Sequence, residues 1–376
     1  MSGEVPEDWQ TAKVGDLVSI KTGKLDANAA VKGGQYKFFT CSRNDYEIDS
    51  YSFDADAIII AGNGDLNVKR YCGKFDAYQR TYVLTSKNTN ILDTNYFFFW
   101  ESIYVDRLRD LSIGGVIKYI KLGMLADVEI PIPPLPEQQR IAEILSSVDE
   151  SIRATESVIA QAERVKQCLV DQFATGKSHF QPDYWVKISD IALINPRTSL
   201  VRGKVYPFIE MANLPIGSPD ILRIEEKEFS NGGAKFAVGD TLFARITPCT
   251  ENGKLGFVSE LQTESVAFGS TEFIVLRPKD NKVRPKLIYY YCYSNHVRQK
   301  AIQKMIGSTG RQRVPNHVFD EIQVPVYSPQ SQSVFEDTFG SLDDQITTNR
   351  ATVEQLQRLK RGLMDDLLTG KVRTVA

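Results

Sequence analysis

The chain has 376 residues, 42% of them hydrophobic and 24% charged, with a formal net charge of −2. That is ordinary for soluble globular protein with room for two or three domains, and the near-neutral sum does not announce a nucleic-acid binder. No apolar run approaches the length of a membrane span, and five scattered cysteines without a CxxC pair argue against a zinc site and fit a reducing cytoplasm.

Met1–Gln10 is polar and acidic, unlike a signal peptide. Trp9–Leu17 reads as a short opening strand or turn. Phe38-Phe39 and Ala57–Ala61 are candidate buried strands, Gly62–Asp65 is a tight turn of the kind that joins strands, and Thr81–Leu84 is another strand. Thr94–Leu108 spaces its aromatics as a helix does, with Phe97, Phe98 and Phe99 read as core. Leu122–Val128 then leads into proline-rich sequence. Residues 1–136 are therefore expected to form a first globular α/β unit.

The prolines before Glu137 lack N–H groups and disfavour helix in the residues preceding them. From Glu137 no Gly or Pro occurs until Gly176. Apolar residues step by four and three through Ile141, Leu145, Val148, Ile152, Ile159, Leu169 and Phe173, with Thr155, Ala162 and Lys166 completing the seam. This a/d pattern predicts a long helix over 137–178 made for a coiled-coil partner. About 39 residues span roughly 58 Å at the helical rise.

A second unit over 179–329 repeats the order of the first. Trp185–Ile191 follows the pattern of Trp9–Leu17, Gly239–Ile246 stands where the AIIIA strand stood, and Gly253–Val258 and Glu272–Arg277 supply strands. Pro285–Met305 reads as one helix whose tyrosines, Tyr289 to Tyr291, are core. Gly307–Arg313 then turns into Asp320–Pro325. This second unit is about 20 residues longer than the first.

The seam recurs over 330–376, displaced by 194 positions: Phe335, Phe339, Leu342, Ile346, Val353, Leu356, Leu363 and Leu367. Its irregularities recur as well, Thr155 with Asn349 and Lys166 with Lys360. Both helices end in Thr-Gly-Lys, at Thr175–Lys177 and Thr369–Lys371, where Gly is the expected helix stop. The halves are thus a duplication related by a pseudo-twofold axis. The two helices are expected to pair antiparallel with the globular units at opposite ends, and the C-terminus to lie near the N-terminus.

Catalytic patterns are weak. Gly62-x-Gly64 lacks the third glycine of a dinucleotide fingerprint, and Thr175-Gly176-Lys177 ends a helix rather than opening one. Pro133-Pro134 and Asn195-Pro196 lack the arrangement that holds a flipped adenine for methylation. Three scattered histidines assemble no Ser/His/Asp set and no metal cluster. Asp220, Glu225 and Lys227 resemble a nuclease motif, but at a spacing too tight for the usual strand pair.

Charge segregation is more informative than the sum. Val297–Arg313 carries five basic residues and no acid, and Leu66–Arg80 four basic residues against one acid, whereas the long helices are acid-rich. In the first unit Lys69, Arg70, Lys74, Gln79 and Arg80 are placed on the turn after a buried strand, with Lys118 and Lys121 just past Gly114-Gly115. In the second, Arg245, Lys254, Arg311, Gln312, Arg313 and Asn316 hold comparable places. Arg reads guanine and Gln or Asn reads adenine in the major groove, while Lys and Arg neutralise phosphates whatever the sequence. For any single residue a solvated charged loop is the competing reading; recurrence in both halves favours DNA contact for the group.

On IPIPPLPEQQRIAEILSSVDESI at 130–152, LVDQFATGK, LMDDLLTGKVR and GDTLFARITPCTENGKLGFV, the chain resembles the specificity subunit of Type I restriction–modification enzymes. The resemblance runs the length of the chain, and the second copy departs from the PIPPLPEQQ pattern at Pro325–Gln332. It implies an α+β fold of two target-recognition domains joined by an antiparallel coiled coil. It also implies no catalytic residues and no cofactor or metal on this chain. Each domain would read half of a bipartite double-stranded DNA site. The helices would set the gap and dock two methyltransferase subunits, with restriction/translocase subunits joining through the complex and S-adenosylmethionine, ATP and Mg on those partners. The competing readings are a coiled-coil scaffold that reads no DNA and a self-contained nuclease.

Overall fold

The computed structural model describes residues 6–115, 117–308 and 310–374. In chain order the first half carries β1 (Gln10–Lys13), α1 (Val14–Leu17), β2 (Val18–Thr22), β3 (Tyr36–Phe39), β4 (Tyr46–Ile48), β5 (Phe53–Ala61), β6 (Val68–Ala77), β7 (Thr81–Ser86), α2 (Thr94–Leu111), α3 (Leu122–Ala126), β8 (Glu129–Ile132) and α4 (Leu135–Ala174). The second carries β9 (Tyr184–Lys187), α5 (Ile188–Ile191), β10 (Ala192–Ile194), β11 (Val205–Ile209), β12 (Glu225–Glu228), β13 (Ala234–Ala237), β14 (Thr241–Ala244), β15 (Leu255–Phe257), β16 (Val266–Gly269), β17 (Phe273–Pro278), α6 (Pro285–Tyr293), α7 (Asn295–Gln303), β18 (Gln323–Val326) and α8 (Pro329–Leu367). Contacts divide the chain into two units, residues 1–154 with 353–376, and residues 155–352. Each long helix therefore gives one half to each unit.

In the first unit a six-stranded sheet runs in the order β2-β7-β5-β6-β3-β4. The AIIIA run is buried on both faces, which is why it is continuously apolar. Ile58 and Ile60 join the core beneath α2, while Ala57 and Ile59 meet Phe39 and Phe75 on the other side. Helix α2 buries Phe97, Phe99, Trp100, Glu101 and Tyr104. The core continues into Ile141 and Leu145 of α4 and Met364, Leu367 and Leu368 from the end of α8 and just past it.

The second unit keeps this strand order but splits it into two four-stranded sheets, β10-β17-β14-β15 and β12-β11-β16-β13. The place of β5 is taken by β13 and β14, interrupted at Val238–Asp240, where Gly239 has φ +90°. Asp240 accepts from the Ala237 N–H at 2.7 Å and pairs with Arg277 at 2.7 Å, which fixes the break. The place of β6 is taken by β15 and β16, with residues 258–265 between them. These interruptions let the layers fold face to face around Phe236, Leu242, Ile209 and Val275.

Lys69, Arg70 and Lys74 lie on β6 and not on the turn that follows β5. The segment alternates, with Arg70, Cys72 and Lys74 exposed and Tyr71, Gly73 and Phe75 more buried, which is the period of a strand. Pro285–Met305 is two helices: the chain breaks at Ser294, whose hydroxyl accepts from the Val297 N–H and starts α7.

The helices pair antiparallel within each unit. In the first, Glu137 near the start of α4 meets Arg373 at 2.8 Å and Asp149 meets Lys360 at 2.6 Å. In the second, Glu163 meets Arg350 at 2.6 Å, and Lys166 pairs with Asp343. Of the seam residues in the first unit, Ile141, Leu145, Val148, Ile152, Val353 and Leu367 are buried and Leu356 and Leu363 half-buried. In the second unit Phe173, Phe335, Phe339 and Ile346 are buried, and Ile159, Leu169 and Leu342 half-buried. The two irregular lysines are therefore ion-pair positions: Lys166 with Asp343 repeats Lys360 with Asp149.

The glycine stops also repeat. Gly176 (φ +67°) packs on Trp185, and Gly370 (φ +75°) packs on Pro6 and Trp9, where a Cβ would come within 2.5 Å of Pro6. With Arg373 bonded to Asp8 at 2.6 Å, residues near the two termini meet in the first unit. Although burial pushes Glu137 up, hydrogen bonds from Arg373 and Trp9 hold it below the usual carboxylate range.

A buried glutamine locks each helix start to its unit. Gln138 donates to the Ile91 and Pro133 carbonyls, both at 2.8 Å, and accepts from the Asp93 N–H at 2.9 Å. Gln332 does the same with Lys282, Tyr327 and Arg284. Truncating either to alanine strands buried backbone groups, so Gln138→Ala and Gln332→Ala are each expected to lose about 2 kcal/mol. Unchanged unfolding midpoints in urea would show the clamps to be dispensable.

Candidate nucleic-acid interface

In each unit a glycine-hinged loop is pinned to the end of the central strand. In the first unit Ile113 and Tyr119 exchange backbone hydrogen bonds at 3.0 and 2.8 Å, closing a loop over 114–118. Gly114 sits at φ +116°, and a Cβ there would lie 2.5 Å from the Ile117 carbonyl, so the hinge needs glycine. The loop is held against the turn after β5, with the Gly64 N–H donating to Lys118 and the Ile120 N–H to Gly62, both at 2.9 Å. The Gly62 N–H donates to Arg80 at 2.9 Å, which brings the β6–β7 turn alongside.

The second unit repeats this with different side chains. Ile306 and Arg313 exchange hydrogen bonds at 3.0 and 2.8 Å, and Gly307 (φ +129°) is the hinge. The Thr247 N–H donates to Gln312, the Val314 N–H to Arg245, and the Arg245 N–H to Glu272. Tyr119 thus corresponds to Arg313, Gly62 to Arg245, and Arg80 to Glu272. Arg313 grips Glu272 through its Nε and Nη2 donors, at 2.7–3.1 Å, and this holds Glu272 below the usual carboxylate range.

The sequence candidates are brought together unevenly. Gln79, Arg80 and Lys118 share the first loop region with exposed Ile117 and Tyr119. Lys121 follows just beyond, at the start of α3. Lys69 is held by Asp45 at 3.1 Å and Arg70 by Asp56 at 2.8 Å, while Lys74 lies over the Tyr51 ring. Arg70 faces a groove it shares with α4 residues Glu143, Asp149 and Glu150. In the second unit Arg245, Arg311, Gln312 and Arg313 converge, and Asn316 follows at the start of a 3-10 turn. Lys254 is spent on the Met211 and Ala212 carbonyls, at 2.8 and 3.3 Å.

Among the described residues no carboxylate lies within ion-pair distance of Arg80, Lys118, Lys121, Arg245 or Arg311. Unpaired cations on a backbone-braced loop can meet an anionic ligand without first giving up an internal partner. Sequence reasoning missed Arg197 and Lys235, which share a groove with Arg245. The Asn195-Pro196-Arg197 turn was the available signal: Asn195 adopts φ +49°, a turn conformation that aims the next residues. Among the described residues no group of His, Cys, Asp and Glu side chains is arranged to hold a metal ion. Among the described residues no helix is long and apolar enough to cross a membrane.

Comparison with known proteins gives two matches to the model of the Type I restriction modification DNA specificity domain, over residues 6–164 and 186–358. The Type I restriction enzyme EcoDI specificity subunit of Escherichia coli is 39% identical over 45% of this chain and 36% of its own length. The MjaVIII specificity subunit of Methanocaldococcus jannaschii is 21% identical over 98% of this chain and 94% of its own. Among solved structures, the S subunit of a Type I restriction–modification system from M. genitalium matches with a TM-score of 0.66 at 17% identity, covering 98% of this chain and 97% of that one.

Proposed function

Because the chain belongs to the Type I restriction modification DNA specificity family, we propose that it is a non-catalytic subunit that reads a bipartite duplex site, one half with each globular unit. The observation that carries this reading is the duplicated loop. The same glycine-hinged scaffold presents Ile117, Lys118 and Tyr119 in one unit and Arg311, Gln312 and Arg313 in the other. One geometry with two sets of side chains suits one mode of approach to DNA with two base preferences. Helices α4 and α8 would set the gap, as dimer geometry sets half-site spacing in other readers.

The acidic faces of those helices are the proposed docking surface for two methyltransferase subunits, with restriction/translocase subunits joining through the complex. S-adenosylmethionine, ATP and Mg would act on those partners, and this chain would supply address alone.

The test is methylome sequencing of cells carrying this chain with its partners, alongside a variant with Arg311, Gln312 and Arg313 changed to alanine. The parent is expected to produce a bipartite methylated motif. The variant should relax one half of it and lower methylation of the original site roughly 10- to 100-fold, as expected for losing one or two base contacts. Loss of both halves together, or an unaltered motif, would refute modular reading by these loops.

A further inference from the structure

In the second unit, a groove of about 630 Å³ opens beside Arg245. It is lined by three cations, Arg197, Lys235 and Arg245, and by no carboxylate. The three come from separate segments: the turn after β10, strand β13 and the end of β14. Packing like charges together is unfavourable unless an anion joins them. Acids nearby are already committed, Asp240 to Arg277 and Glu272 to Arg313.

The walls are braced. The Asn195 side chain accepts from the Val275 N–H at 2.9 Å, and Arg277 donates to the Thr198 hydroxyl at 3.0 Å, so the turn bearing Arg197 is clamped to β17. The Arg245 backbone is bonded on both sides, to Glu272 and Val314. Its Nε is shut off from solvent and has no acceptor among the described residues. An orphaned buried donor of this kind calls for a missing partner. The other groups available here are hydroxyls and backbone. The ligand that fits is rich in acceptors and negatively charged.

We infer that this groove holds phosphates of the DNA backbone beside the second half-site, with Arg197 and Lys235 as outer contacts and Arg245 as the inner donor. The inference rests on the DNA-reading function proposed above. It assigns these residues a role distinct from that of loop 306–313, because phosphate contacts position the protein without carrying sequence information. The first unit has Gly62 in place of Arg245, so the anchoring is one-sided.

The experiment uses the complex with its methyltransferase subunits and a random-sequence duplex, with affinity measured from 50 to 200 mM salt. Removing both outer charges in Arg197→Ala/Lys235→Ala should lower the log–log salt slope by about one to two and weaken binding about tenfold at the upper salt. The methylated motif should stay the same. Arg197→Lys, which keeps the charge, should retain the parental slope. A parental slope in the double variant, or a changed motif, would overturn the assignment. So would binding of inorganic phosphate, at constant ionic strength, that depends on Arg197 and Lys235 yet leaves duplex affinity unchanged, which would mark a small-anion pocket separate from the DNA. Absence of salt-dependent duplex binding by the parent would instead defeat the underlying DNA-reading proposal, and the groove with it.

Discussion

Lys166→Met is expected to destabilise the second unit by about 3–5 kcal/mol, the usual cost of stranding a buried charge. Lys166 is fully buried at a seam position meant for an apolar side chain. Its ammonium pairs with Asp343, donates to the Gly217 carbonyl at 2.9 Å and lies over the Tyr293 ring. Asp343 also accepts from the Tyr290 hydroxyl at 2.7 Å. Burial pushes Lys166 down and Asp343 up, each toward its neutral form, and their mutual attraction opposes this. Methionine removes the cation and leaves the carboxylate enclosed with one donor.

Lys166→Met/Asp343→Leu should recover most of the loss, since a buried pair replaced by packed apolar groups is often neutral. Lys360→Met should cost only roughly 1 kcal/mol, because Lys360 and Asp149 keep side-chain exposures of 23% and 19%. Hydrogen exchange read peptide by peptide separates the two units. If Lys166→Met leaves protection in residues 155–352 unchanged, the pair is not structural.

Raising the pH from 5 to 8 is expected to weaken the first unit through Glu101. This side chain lies in α2 with no solvent exposure, and among the described residues neither carboxyl oxygen has a hydrogen-bond partner. Burial pushes its carboxyl up to about 8. The folded protein therefore holds a proton that the unfolded chain releases near the ordinary value of 4.5. Stability from this group is complete below that value and falls as pH rises toward the folded one, by about 1.4 kcal/mol per pH unit. At pH 7 the deficit is about 3 kcal/mol.

Glu101→Gln cannot ionise and should remove that slope. Glu101→Met should remove it and also relieve the unpaired polar group. Melting midpoints of parent and variants across pH 5–8 provide the check. Curves that stay parallel would mean the carboxyl titrates at its ordinary value in the folded state.

Much of the fold was legible along the chain. The displaced seam announced two helices made for each other. Thr175–Lys177 and Thr369–Lys371 announced where they stop, and the AIIIA run announced a strand covered on both faces. The candidate interface was legible only by region. Gly114 and Gly307 mark the loops, but nothing in their neighbourhood shows that Lys254 is spent on backbone carbonyls or that Arg313 grips Glu272. Lys69, Arg70 and Lys74 were misplaced on a turn because a basic run after a buried strand looks like a loop unless its alternation is followed.

The duplication, the antiparallel helix pair and the glycine stops follow from residue order alone. These rest on period and on backbone conformation, which neighbouring residues set. What each charge meets is settled by how distant segments come together in space. Lys166 and Asp343 are 177 positions apart, Arg197, Lys235 and Arg245 meet from three segments, and Glu101 lies on the buried face of its helix with no solvent exposure. Coulomb energy and desolvation depend on distance and burial in space, and neither quantity is written in the order of residues.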